Sequence, residues 1–138
     1  MLGAGPISQF AHLEATRKAR NADLVGLCDA AEDLLERMAA VHQPARTYTD
    51  FAAMLADPEI DAVIIGVADQ YHVALAQQAI TAGKHVLVEK PLGVSAAECE
   101  SLRQAASAAD LVVQVGNNRV STPASPLPAP SFASRWGR

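Results

Sequence analysis

Two short stretches of this chain gather residues that could do chemistry. The first is the opening, MLGAGPISQF, in which Gly3, Gly5 and Ser8 keep the G-x-G-x-x-small spacing of a turn that holds a pyrophosphate. In such a turn one glycine makes the tight bend and the next lets the backbone approach the phosphates. A small third residue then lets the following helix pack close to its strand. A helix starting at Pro6 or Ile7 would aim its free amides and dipole at the same phosphates. Alone, this match is weak in an alanine-rich chain. Asp29 strengthens it, standing about twenty residues further on, where a ribose-binding acid is expected, and directly ending the apolar run Leu24 to Cys28. A carboxylate there accepts hydrogen bonds from adenosine ribose hydroxyls and repels a 2′-phosphate, so NAD is expected in preference to NADP. The plain alternative is an ordinary glycine turn followed by a helix that Asp29 caps.

The second stretch is AGKHVLVEKPLGVSAAECESL, where an apolar run ends in Glu89, Lys90 and Pro91. In a parallel sheet, residues leaving a strand's carboxyl end face the ligand crevice. An amine placed there can bind a substrate hydroxyl and share its proton. The alternative is a solvated charge at a strand end, with Pro91 ending the pairing.

The elements that must position these groups alternate along the chain. Leu24 to Cys28, Ala62 to Gly66, His85 to Val88 and Leu111 to Val115 are short continuous apolar runs, the pattern of strands covered on both faces. Thr47 and Tyr48 add a shorter strand, with Thr49 or Asp50 capping a helix that ends near Asp57. Helical spacing puts Ile7, Phe10, Ala11 and Ala15 on one face, and Leu34, Leu35, Met38 and Val41 on another. Ser95 and Glu98 form an S-x-x-E capping box for a helix reaching about Ala109, and Gly83 reads as a helix stop. The alternation predicts a doubly wound α/β domain with a parallel, Rossmann-like sheet over residues 1–120. From about Ser121 the chain holds four of its eight prolines and no acidic residue, which predicts a disordered tail over 121–138.

Bulk properties exclude other classes. With 138 residues, half of them apolar, and a net charge of -4 without basic clusters, the chain suits one domain and attracts neither nucleic acid nor an anionic membrane. No apolar run is long enough to cross a bilayer. Cys28 and Cys99 lack metal or redox spacing and fit a reduced, cytoplasmic setting. They read as packing residues, as do Met38 and Met54. His12, His42 and His85 read as solvated or packing positions.

With its EKP triplet, the chain resembles the N-terminal domain of the glucose-fructose oxidoreductase and inositol dehydrogenase family of NAD(P)-dependent oxidoreductases. The resemblance rests on the glycine turn, on Asp29, on MLADPEIDAVIIGVADQYHVALAQQAITAGKHVLVEKPL and on VGNNR. It implies that Lys90 lies beside the nicotinamide and assists substrate binding and proton transfer. It further implies that Glu89 positions the cofactor, that Pro91 shapes the turn, and that Ala68 and His72 lie near the cofactor. The substrate implied is a sugar or polyol hydroxyl. Asp69 stands where the family usually has an amide, an extra charge that would repel a pyrophosphate unless turned away or paired. Gly116 and Arg119 keep the family's G-x-x-R spacing, although Asn117 departs from its usual aromatic or His.

The same resemblance implies a second, substrate-binding domain that nothing after Arg119 could build. It also implies a central strand before the glycine turn, of which Met1 and Leu2 remain. The expectation is therefore a truncated nucleotide-binding domain without efficient turnover alone. Strands facing the lost one would be left unpaired, at about 1–3 kcal/mol for each buried group, giving marginal stability or recruitment of another chain into an oligomer. A non-catalytic nucleotide-binding or regulatory module is the alternative.

Overall fold

The computed structural model describes residues 1–117, so the expectations for Arg119 and for the stretch from Ser121 fall outside the described residues. A π-helical turn, Ser8–His12, opens the first helix and continues into α1, Leu13–Lys18. The elements that follow are β1 (Gly26–Cys28), α2 (Glu32–His42), β2 (Arg46–Tyr48), α3 (Phe51–Leu55) and β3 (Ala62–Ile65). A short 3-10 turn (Asp69–Tyr71) leads to α4 (His72–Thr81), β4 (His85–Glu89), α5 (Ala96–Ala108) and β5 (Val113–Gly116). All strand pairs are parallel, with β1 on β2 and β4 between β3 and β5. Val63, Ile65, Val86 and Val88 are fully buried on one face of the sheet, whereas Ile64 and Leu87 on the other are half-buried.

Met1 and Leu2 join the two half-sheets. Leu2 bridges to Cys28 on one side and to Ile65 on the other, which completes the spatial order 3-2-1-4-5-6 of a doubly wound sheet. The Met1 amine donates to the Gly26 carbonyl at 2.8 Å. The Cys28 amide reaches Met1 O at 2.9 Å, Gly3 N reaches Cys28 O at 2.8 Å, and Leu2 N and O take Ile64 O and Gly66 N at 2.8 and 2.9 Å. The expectation that facing edges stand unpaired is thus overturned at their carboxyl ends. Two residues suffice there because in a parallel sheet each residue turns both its backbone groups to one neighbour.

The core lies on both faces of the sheet. Met1, Leu13, Leu27 and Leu35 pack under α1 and α2, while Leu2, Ile65, Met54, Ala76, Ile80, Val88 and Leu102 pack under α3, α4 and α5. The first helix corrects the face expected from its spacing. Ile7 is 40% and Phe10 85% exposed, and Ala11 and Ala15 face solvent, whereas Ser8 and Leu13 are fully buried. The cause is the π-turn, in which Leu13 N reaches Ser8 O five residues back, so the buried residues follow a five-residue step instead of the α period. Val41, expected on the core stripe of α2, is also exposed.

Asp50 caps α3 through the amides of Ala52 and Ala53. Ser95 caps α5 through Glu98 N, and the Glu98 carboxylate returns to the amide of Val94 rather than that of Ser95. Gly83 takes φ +75 at the end of α4, as a helix stop should. The last strand starts two residues later than its apolar run suggests, because Leu111 N is spent on Ala106 O in the exit from α5. Among the described residues no helix is long and apolar enough to cross a membrane.

Candidate functional site

The glycine turn sits at the carboxyl ends of β1 and β3, held there by Leu2. Gly3 has φ +87, and a Cβ on it would stand 2.7 Å from Gly66 O and 2.9 Å from Val67 Cγ1. Only glycine permits both that conformation and that approach. The peptide beyond it is locked on two sides, since Ala4 N donates to Asp29 Oδ2 at 2.7 Å and Ala4 O accepts from Gln9 Nε2 at 2.7 Å. Asp29 Oδ1 accepts from Ala31 N at 2.9 Å at the entry to α2. Asp29 thus grips the glycine turn and the peptide entering α2, but it does not cap that helix, whose N-cap is Ala31 without a side-chain bond. A carboxylate offers about four lone-pair sites, so capacity remains for hydroxyl donors.

Gly5 faces open space, with no atom within 4 Å of where its Cβ would be. The helix beginning at Pro6 points its first turn at that opening. Ser8 is fully buried, its hydroxyl has no hydrogen-bond partner among the described residues, and it abuts Gly66, whose Cβ would stand 2.7 Å from Ser8 Oγ. This is the close helix–strand approach that the third small residue of the motif allows. A bend that only glycine fits, an open glycine beside a helix start and an acid at the neighbouring strand end together fit a dinucleotide.

The Lys90 turn stands at the end of β4, two strands away from the glycine turn. Lys90 is exposed, and its Nζ has no hydrogen-bond or ion-pair partner among the described residues. The Lys90–Pro91 peptide is cis. Glu89 is turned inward, with Oε2 accepting from Lys90 N at 3.1 Å and Oε1 2.8 Å from His12 Nε2. His72 is buried; its Nδ1 lies 2.7 Å from Pro91 O and its Nε2 3.1 Å from Val67 O. The ring stands between the loop after β3 and the turn after β4, with a carbonyl oxygen, an acceptor, facing each of its nitrogens. Ala68 is exposed on that first loop. The Asp69 carboxylate accepts from Gln70 N and lines a groove between α4 and α5, away from the glycine turn.

These contacts form a continuous circuit from the glycine turn through Gly66, Val67, His72 and Pro91 to Glu89, then through His12 back to the helix that leaves the turn. His12 is the member that sequence reasoning missed. Of the remaining residues singled out, Cys28 is a packing residue whose thiol burial pushes up to about 11. His85 Nδ1 accepts from Val112 N at 3.0 Å and so braces the start of β5. No metal-binding cluster is present among the described residues.

A family model described as an oxidoreductase family with an NAD-binding Rossmann fold matches residues 1–117. Inositol 2-dehydrogenase of Acidothermus cellulolyticus is 33% identical over 108 residues, 78% of this chain and 32% of the relative. Myo-inositol 2-dehydrogenase of Thermotoga maritima is 29% identical over 119 residues, 86% of this chain and 35% of the relative. A solved structure of an NAD binding oxidoreductase from Klebsiella pneumoniae superposes with a TM-score of 0.83 at 33% identity, over 90% of this chain and 35% of that one. The chain spans about a third of the length of these proteins.

Proposed function

The chain belongs to the glucose-fructose oxidoreductase and inositol dehydrogenase family of oxidoreductases, and from that premise we propose that it binds NAD in preference to NADP and presents Lys90 to a sugar or polyol hydroxyl. The observation that carries the reading is the pairing of Gly3, Gly5 and Asp29 at one end of the crevice with, at the other, a lysine amine that has no partner among the described residues. Gly3 and Gly5 admit the pyrophosphate, and Asp29 receives the adenosine ribose. When bound, the nicotinamide supplies hydride acceptance or donation. Lys90 orients the substrate hydroxyl and shares its proton. His72 holds the turn that carries Lys90 and takes no part in the proton's path.

The alternative is nucleotide binding without turnover, and one set of measurements separates the two. Titration with NADH, followed by fluorescence and thermal shift, is expected to show binding, and no response at millimolar cofactor would sink the whole reading. NADPH is expected to bind about tenfold more weakly than NADH, a gap that Asp29→Ala closes. NADH production that depends on a sugar or polyol and disappears in Lys90→Ala supports the oxidoreductase. Full NADH affinity with no such production in the unmodified chain supports binding alone.

A further inference from the structure

The circuit around the crevice contains one link that neither packing nor the proposed chemistry requires. His12 and Glu89 lie 77 positions apart, yet His12 Nε2 stands 2.8 Å from Glu89 Oε1, and both side chains are about nine-tenths shielded, at 13% and 14% exposed. An ionised carboxylate only accepts, so Nε2 carries the hydrogen and donates it. Three elements converge on the Glu89 carboxylate. His12 reaches Oε1 from the first helix, the amide of Lys90 donates to Oε2, and Gly116 of β5 leaves room for it, since a Cβ there would stand 3.0 Å from Oε1.

His12 can reach this point because of the π-turn. The wider turn, closed by Leu13 N on Ser8 O and buttressed by Thr16 Oγ1 on His12 O at 2.8 Å, swings the ring toward β4 while Ile7 and Phe10 face solvent. Shielding two polar side chains is costly unless they are paired, and apolar residues would fill the same space at less cost. Apolar residues would not, however, grip the main chain of Lys90, which Glu89 does through its second oxygen.

We propose that His12 is a positioning residue: acting through Glu89, it fixes the Lys90 turn relative to the helix that leaves the glycine turn, and so sets the spacing between the two ends of a bound dinucleotide. The proposal rests on the NAD-binding reading above for its consequence, but its structural half can be tested without any ligand.

In an assigned ¹⁵N spectrum, His12→Ala is expected to displace the Lys90 amide signal, and His12→Gln, which keeps a donor, to return it toward its original place. NADH affinity is expected to fall about tenfold in His12→Ala, the effect of one lost hydrogen bond to a charged group. Glu89→Gln should lose a similar factor, and the double variant little more than either, since both remove one link. A Lys90 signal that stays in place, with NADH affinity unchanged in His12→Ala, overturns the proposal. If the unmodified chain fails to bind NADH while His12→Ala still displaces Lys90, the positioning link stands and the cofactor reading falls. Should His12→Ala not fold, the ring nitrogen signal of His12 reads the same contact. It is expected to move in Glu89→Gln, and an unmoved signal overturns the link.

Discussion

Replacing Gly3 by alanine is expected to lower the stability of the chain by about 2–5 kcal/mol, read as a fall in the urea unfolding midpoint. Two costs combine. Alanine in the left-handed region loses about 1–2 kcal/mol, and φ at Gly3 is +87. The new methyl would also stand 2.7 Å from Gly66 O and 2.9 Å from Val67 Cγ1, an overpacking worth about 1–3 kcal/mol in a site that cannot relax. Relaxation is blocked because the peptide on each side is held, by Cys28 O through Gly3 N and by Asp29 through Ala4 N. Domains hold about 5–15 kcal/mol in total, so the loss is a large share. Gly5→Ala is the matched control. Its methyl meets nothing within 4 Å, so stability should change by under about 1 kcal/mol, while NADH binding weakens by about tenfold or more as the methyl enters the phosphate space. A Gly3→Ala chain as stable as the original would overturn this account of the turn.

The second large effect concerns pH. In a chain made to begin at Met1 with a free amine, that amine is buried against Gly26 O, and burial lowers its pKa from the usual 8 to about 6. In the unfolded chain it titrates near 8, so between pH 8 and pH 6 the unfolded state holds more of its proton than the folded one. Stability is therefore greatest above pH 8 and declines as pH falls to 6, by about 2–3 kcal/mol for a shift of this size. Urea midpoints of the free-amine chain at pH 6 and pH 8 should differ accordingly, against a much flatter profile once the amine is acetylated. Equal slopes for the two forms would show that the amine holds its proton in the folded state. The histidines are common to both, so their contribution cancels in the comparison.

What the sequence made legible was what local pattern encodes. The runs at Ala62 and His85 read directly as buried strands, because a strand covered on both faces needs no polar alternation. Ser95, Asp50 and Gly83 mark helix ends through chemistry confined to a few neighbouring residues. Gly3, Gly5, Asp29 and Lys90 could be singled out because each stands next to a strand end, and parallel topology turns strand ends toward one crevice. Three things were not legible. The face of the first helix depends on a π-turn, and a five-residue step leaves no mark in a pattern read at the α period. The pairing of His12 with Glu89 spans most of the domain and has no local trace. The capacity of Met1 and Leu2 to bridge two edges depends on backbone groups that carry no side-chain signature.

That bridge has a consequence for how the domain comes apart. Met1 packs into the core beneath α1 and α2, and Leu2 into the core beneath α3, α4 and α5. Among the described residues no strand ladder joins β1 to β3 directly, so one dipeptide carries the backbone pairing between two half-sheets that otherwise share only side-chain packing, as of Cys28 in one core cluster with Ile65. A dinucleotide lying across the glycine turn and the end of β4 would touch both half-sheets at once. Its binding would then act as a staple, adding a second tie between the half-sheets beside the Met1–Leu2 bridge and raising the melting temperature as cofactor concentration rises.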